Sequence, residues 1–255
     1  MFIGTAGWNI PARHAAGFPR QGSHLERYAA RLNAAEINSS FYRPHRRATY
    51  ERWAAAVPAA FRFSVKLPRA ITQDRRLRDC EDCLARFLDE VSGLGCKLGV
   101  LLAQLPPSLA YDADVAARFF QNLAGRTAAG IACEPRHASW FTPQADRALA
   151  DLKIMRVAAD PPRAPTDGAP GGWTACAYWR LHGSPKIYYS EYEDSRLQAV
   201  AKQLRPGDWC IFDNTAAFAA LGNARTLQTM TGSDQPRRSG GVSRSRICTG
   251  IPDGS

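Results

Sequence analysis

Residues 97–134 read KLGVLLAQLPPSLAYDADVAARFFQNLAGRTAAGIACE, and this stretch decides the fold class. KLGVLLAQ at 97–104 is a nearly unbroken apolar run that ends on a polar residue, Gln104. Such runs suit strands covered on both faces, as in parallel sheets. Pro106 and Pro107 break it. Asp112 and Asp114 then offer helix caps, and Val115, Phe119 and Leu123 share one helical face. GIACE at 130–134 is a second apolar run and ends on Glu134. Strand, helix, strand in this order predicts parallel pairing, with helices covering the sheet.

The same unit repeats outward in both directions. Strands are predicted for FIGTA 2–6, AAEIN 34–38, FRFSVK 61–66, IMRVA 154–158, ACAYWRL 175–181 and DWCIF 208–212. Helical stripes fall between them: Leu25, Tyr28, Ala29 and Leu32; Tyr50 and Trp53; Leu84, Phe87, Leu88 and Val91. Leu149 with Leu152, then Leu197 with Val200 and Leu204, then Ala220 with Leu221 and Leu227, complete the series. Residues 160–172, DPPRAPTDGAPGG, are too rich in Pro and Gly for a helix. The expectation is one α/β domain over 1–231, a (β/α)₈ TIM barrel whose sixth helix is replaced by this loop. Residues 232–255 read as a disordered basic tail.

Bulk properties narrow the function. The 255 residues are 45% apolar, enough for a large core. No run of about 18 apolar residues suggests a membrane span, and no signal-peptide pattern opens the chain, so a cytoplasmic location is expected. The net charge is +10, but the arginines are scattered rather than interleaved with aromatics. That favours a small anionic partner, phosphorylated molecules included, over nucleic acid. Seven cysteines, an odd number, point to reduced thiols, and the lone CxxC at Cys80 and Cys83 has no second half at zinc spacing. Cys133, Cys176 and Cys210 fall in predicted strands. Oligomeric state is left open.

Chemistry in such a barrel belongs to the C-terminal strand ends. Those ends carry Thr5 and Trp8, Glu36 and Asn38, Lys66, Gln104, Glu134 with Arg136, Asp160, Arg180 with His182, and Asp213 with Asn214. Strand side chains alternate between faces, which places Glu36, Lys66, Glu134, Arg180 and His182 on the axis together. Buried charges need partners or water, and pairs such as Glu36 with Arg180 and Glu134 with Lys66 would supply them. Lys66 suits an anion holder, a base or a Schiff-base amine. Glu134 or Glu36 suits a general acid or base, and His182 a proton carrier near neutral pH. Arg180 and Arg136 are planar forks for phosphate or carboxylate. Thr5, Asn38, Gln104, Asp213 and Asn214 are further candidate contacts. Trp8, Trp140 and Tyr42 suit stacking on a ring, or packing that caps the barrel. Glu36, Glu134, His182 and Asp213 also form a conceivable divalent metal set, though Lys66 and Arg180 beside it argue against a cation. No organic cofactor is indicated.

At these residues the sequence resembles the YecE-like family. The motifs are GTAGW 4–8, EINSSFYR 36–43, FRFSVKLPRAIT 61–72, KLGVLLAQLPPS 97–108, EPRHASW 134–140, YWRLHG 178–183, Tyr188 with Tyr192, FDN 212–214 and NA 223–224. They run in order to about residue 230. The resemblance implies a TIM barrel and carries no established activity. It also implies an altered or silent site if the family's usual His at Gln73, aromatic at Pro135 and Asn at Asp213 matter, and the opening loop lacks its usual Trp.

Three readings follow. The first is an enzyme (lyase, isomerase or hydrolase) on a small anionic substrate. The second is a metal-dependent nuclease or sugar-isomerase-like barrel. The third is a binding barrel without chemistry.

Overall fold

β-Branched and other apolar residues fill the eight predicted strand regions, and every one of them forms sheet. The computed structural model describes residues 1–162 and 168–232. Its strands are β1 (Phe2–Ala6), β2 (Ala34–Ile37), β3 (Arg62–Lys66), β4 (Leu98–Gln104), β5 (Gly130–Glu134), β6 (Ile154–Arg156), β7 (Ala158–Asp160), β8 (Gly171–Gly172), β9 (Tyr178–Leu181) and β10 (Trp209–Phe212). The order is β7-β9-β10-β1-β2-β3-β4-β5-β6-β8, and all neighbours are parallel except β6 with β8.

The sheet closes through the sixth strand region. β6 bonds to β5, and β7 bonds to β9. Val157, between them, donates its N–H to Cys133 O at 2.8 Å. The strand expected at 154–158 therefore runs on to Asp160 with one break, and each half joins a different neighbour. This is the nearly closed, TIM-like barrel the alternation predicts.

Helices α1 (His24–Ala29), α2 (Arg47–Ala55), α3 (Glu81–Val91), α4 (Ala113–Ala124), α5 (Pro143–Asp151), α6 (Asp194–Ala201) and α7 (Ala220–Met230) cover the outside. Ser23 and Glu26 form a capping box on α1, and Asp112 accepts from Val115 N on α4. Among the described residues no helix follows β7, as expected. The Pro/Gly segment is not wholly irregular, however: Gly171–Gly172 pairs antiparallel with β6. Residues 163–167 of that segment and residues 233–255 of the basic tail lie outside the described residues. Two boundaries need correction. The seventh strand begins at Tyr178 rather than 175, so Cys176 precedes it. The first helix stops at Ala29, short of Leu32.

Two apolar layers follow from the side-chain alternation. Ile3, Ile37, Phe63, Val65, Leu101, Ile131, Leu181 and Phe212 face the helices. Ala34, Val100, Leu102, Ala132, Met155, Val157, Tyr178, Trp209 and Ile211 fill the barrel. At the N-terminal ends Phe2 stacks on Trp209 at 4.8 Å, and Trp209 on Tyr178 at 6.0 Å. The barrel thus has an apolar, aromatic floor. Its C-terminal end is different. No described helix is long and apolar enough to cross a membrane.

Candidate functional site

Register brings the ionisable strand ends to one level. Ala6 pairs with Glu36, Glu36 with Ser64, Gln104 with Glu134, and Ile211 with Arg180. The inward alternation then carries Glu36, Lys66, Gln104, Glu134, Arg180, His182 and Asp213 into one layer above the apolar fill.

Arg180 is the hub, and it is fully buried. Its Nε donates to Glu36 Oε2 at 2.9 Å and its Nη2 to Glu36 Oε1 at 2.6 Å, a bidentate fork. Nη1 donates to Glu134 Oε2 at 2.9 Å, and Nη2 lies 3.2 Å from Asp213 Oδ2. His182 Nδ1 lies 3.0 Å from Asp213 Oδ2, and its Nε2 3.0 Å from Glu134 Oε1. Both partners are carboxylates, which only accept, so both ring nitrogens donate and the ring is an imidazolium. Gln104 Nε2 donates to Glu134 Oε2 at 2.9 Å. Tyr178 OH donates to Glu36 Oε2 at 3.0 Å and accepts from Ser64 Oγ at 2.7 Å.

The titration behaviour follows from these contacts. Burial alone would raise the Glu134 carboxyl, but the charges of Arg180, His182 and Arg136 hold it well below the ordinary range. Asp213 is lowered in the same way, against burial, by Arg180 and His182. Burial alone would lower His182, yet the Glu134 charge and hydrogen bonds to Asp213 and Glu134 raise it.

Lys66 stands apart from this pairing. Its residue is 5% exposed. Its amine makes no hydrogen bond or ion pair with any described residue, and it lies 3.9 Å from the centroid of the Phe41 ring. Burial and the nearby Arg180 charge lower it to about 8, despite Glu36, Glu134 and Asp213. The expected pairing of Glu134 with Lys66 is therefore corrected: Arg180, His182 and Gln104 occupy the Glu134 oxygens.

Two other polar groups here lack partners. Arg136 Nη2 lies 3.5 Å from Glu134 Oε1, but Nε and Nη2 are buried without a hydrogen bond. Asn38 Oδ1, just past the end of β2, is also buried and unpartnered.

Several candidates do not join this layer. Thr5 points toward the helices, where its hydroxyl donates to Gly7 O at 2.6 Å and meets Tyr28 OH at 3.0 Å. Trp8 packs edge-on against Trp53 at 5.1 Å. Trp140 is buried among apolar residues and donates Nε1–H to Leu109 O at 2.9 Å. Asn214 Nδ2 donates to Ser190 O and Asn223 Oδ1, tying its loop to the 190 segment and to α7. Tyr42 is 75% exposed and lines an outer cavity of about 190 Å³ with Arg43 and Arg69. Its neighbour Phe41 is the aromatic that meets Lys66. Sequence alternation missed this because Ser39–Phe41 is a 3₁₀ turn, which has no two-residue period. Larger cavities, about 320 and 340 Å³, open beside α4 around Arg78 and Arg118 and around Arg76 and Ser108, away from the charged layer. Asp160 also faces outward and is held by Arg196 and Tyr192.

A metal finds no ready place among these groups. The carboxylates of Glu36, Glu134 and Asp213 are each engaged by Arg180, and the described residues contain no cluster of three or more His, Cys, Asp or Glu side chains arranged for a cation.

A nearly closed parallel barrel of TIM type, with a charge network and one unpaired amine at its C-terminal strand ends, is the class of protein these observations define. The chain belongs to the DUF72 family, described as a protein of unknown function, which matches residues 2–244. It is 29% identical over 142 residues to the UPF0759 protein YecE of Escherichia coli K12. That alignment covers 55% of this chain and 50% of YecE, so the chain spans about half the length of the curated relatives it matches. Crystal structures of DUF72 family proteins share the fold. One from Enterococcus faecalis V583 has a TM-score of 0.75 at 20% identity, covering 93% of this chain and 99% of its own. Another from Thermotoga maritima MSB8 has a TM-score of 0.74 at 20% identity, covering 91% and 99%.

Proposed function

We propose that this chain is an enzyme acting on a small anionic molecule at the C-terminal mouth of the barrel. One observation carries the reading. Lys66, 5% exposed at a strand end, has no hydrogen bond or ion pair with a described residue, beside a network in which every carboxylate is already paired. A scaffold gains little from an amine held this way, because its desolvation is offset only by the Phe41 ring and by the more distant carboxylates. An anion would supply the missing partner.

Charge supports the same reading. Lys66, Arg136, Arg180 and His182 face the three carboxylates Glu36, Glu134 and Asp213. With Lys66 protonated the layer carries one surplus positive charge. Arg136, whose Nε and Nη2 make no hydrogen bond, adds a further guanidinium to this end of the barrel. Arg180, Glu36, Glu134, His182 and Asp213 fix the geometry and are positioning residues. Lys66 holds the anion and, when deprotonated, serves as base or nucleophile.

The test is thermal unfolding across a panel of phosphorylated and carboxylated metabolites. Ligand at about a hundredfold its Kd stabilises by about 2.7 kcal/mol, which corresponds to a Tm rise of about 5–10 °C for a domain of this size. Some members of the panel should give this rise in wild type and lose it in Lys66→Met. A panel with no shift, or shifts unchanged in Lys66→Met, would overturn the reading.

A further inference from the structure

Resting on the anion-site reading, we infer that Lys66 forms an imine with the carbonyl group of an anionic oxo compound, such as an oxo acid or a phosphorylated aldehyde or ketone. Four structural features point there. The Lys66 amine makes no hydrogen bond or ion pair with a described residue. The Phe41 ring lies 3.9 Å from it, giving the reacting nitrogen an apolar wall. Asn38 Oδ1, past the end of the adjacent β2, and Arg136 Nε and Nη2, past the end of β5 with β4 between, are buried without hydrogen bonds. Glu36, Glu134 and Asp213, which would otherwise pin the lysine as an ammonium, are held by Arg180.

Composition adds to this. Of the 33 basic residues only five are lysines, Lys66, Lys97, Lys153, Lys186 and Lys202. A guanidinium at position 66 would serve anion binding equally well but cannot be deprotonated to attack a carbonyl. Lys66, which makes no hydrogen bond or ion pair among the described residues, is of the type that can.

The step balances without any further reactant. The neutral Lys66 amine adds to the carbonyl carbon, forming the N–C bond of a carbinolamine. Two protons from nitrogen and the carbonyl oxygen then leave as water, giving the imine. No group is oxidised or reduced. The anionic end of the substrate would take the Arg136 N–H groups, leaving its carbonyl toward Lys66.

The experiment uses the full chain near pH 8 with glyoxylate, pyruvate or glyceraldehyde 3-phosphate, and propionaldehyde as the uncharged control. Sodium cyanoborohydride reduces any imine by adding hydride to its carbon, and peptide mass spectrometry locates the adduct. We expect the anionic carbonyls to label Lys66 at least tenfold faster than Lys153, Lys186 or Lys202. Propionaldehyde should show no such preference. Arg136→Gln should reduce the preference about tenfold while Lys66 itself remains present. Lys66 labelled no faster than the other lysines, or equally by charged and uncharged carbonyls, would overturn the inference. Thermal shifts with inorganic phosphate and glycerol 3-phosphate separate the two claims. Lys66-dependent shifts without labelling remove the imine and leave the anion site; neither result removes both.

Discussion

Arg180 and Lys66 are both basic side chains on the barrel axis, and their environments are opposite. Arg180 satisfies three carboxylates while fully buried. Its replacement by Met leaves those charges without compensation, a loss of about 3–5 kcal/mol for a buried pair, enough that Arg180→Met should express poorly or unfold below the wild-type Tm by about 10 °C. Lys66→Met, by contrast, removes an amine that makes no hydrogen bond or ion pair and lies over the Phe41 ring. Urea unfolding should show that variant as stable as wild type or up to about 2 kcal/mol more so, while ligand-induced shifts vanish. A large loss of stability in Lys66→Met would mean the amine is structurally paired after all. Asp213→Asn should lower the His182 pKa toward its ordinary value, because one of its two carboxylate partners is gone. Ring-proton NMR would follow it, and an unchanged value would refute the proposed imidazolium pairing. At this scale the two-residue alternation made Glu36, Lys66, Glu134, Arg180 and His182 legible from sequence. Thr5 and Tyr42 became candidates by their place near strand ends alone: the same alternation puts Thr5 on the outward face with Ile3, as the structure does, and Tyr42 follows a 3₁₀ turn where the two-residue period does not run. Which carboxylate pairs with which cation depends on side-chain reach across strands, and alternation does not encode it.

Strands and helices were legible because their apolar runs and stripes are long and regular, as over 97–134. The sixth strand region was the exception in detail. Its closing role depends on a one-residue break at Val157 that lets β6 and β7 serve different neighbours. Nothing in IMRVA marks that residue. Element packing also makes a prediction at the barrel floor. A Cβ at Gly99, on β4, would stand 2.4 Å from the Trp209 ring, within the aromatic stack. Gly99→Ala should therefore cost about 1–3 kcal/mol by overpacking, read as a lower urea midpoint at unchanged slope. A neutral result would show that Trp209 yields freely and that the floor is not tightly packed.

The whole molecule reads as an apolar floor, a covered parallel wall and a charged layer at one end. That division sets its pH response. Glu134 and Asp213 are held below the ordinary carboxylate range, so their stabilisation is present above about pH 4 and lost as pH falls through their lowered values. His182 is raised, so its contribution is full below about pH 6.5 and lost as pH rises through the folded value. Lys66, lowered to about 8, works in reverse: its cost is present at low pH and fades as pH climbs from there toward the ordinary lysine range. Stability should therefore peak near pH 5–6, and Lys66→Met should lack the partial recovery above about pH 8. Urea midpoints between pH 3 and 10 would show this, and a flat profile in both proteins would contradict it. That Lys66, 5% exposed at the strand ends, makes no hydrogen bond or ion pair with any described residue is tested most directly by labelling all lysines competitively across pH and locating each by mass spectrometry. Half-maximal Lys66 reactivity is expected near pH 8, with the exposed Lys153, Lys186 and Lys202 as internal references in the same sample. A Lys66 reactivity profile across pH indistinguishable from those of the exposed lysines would be the contradicting result.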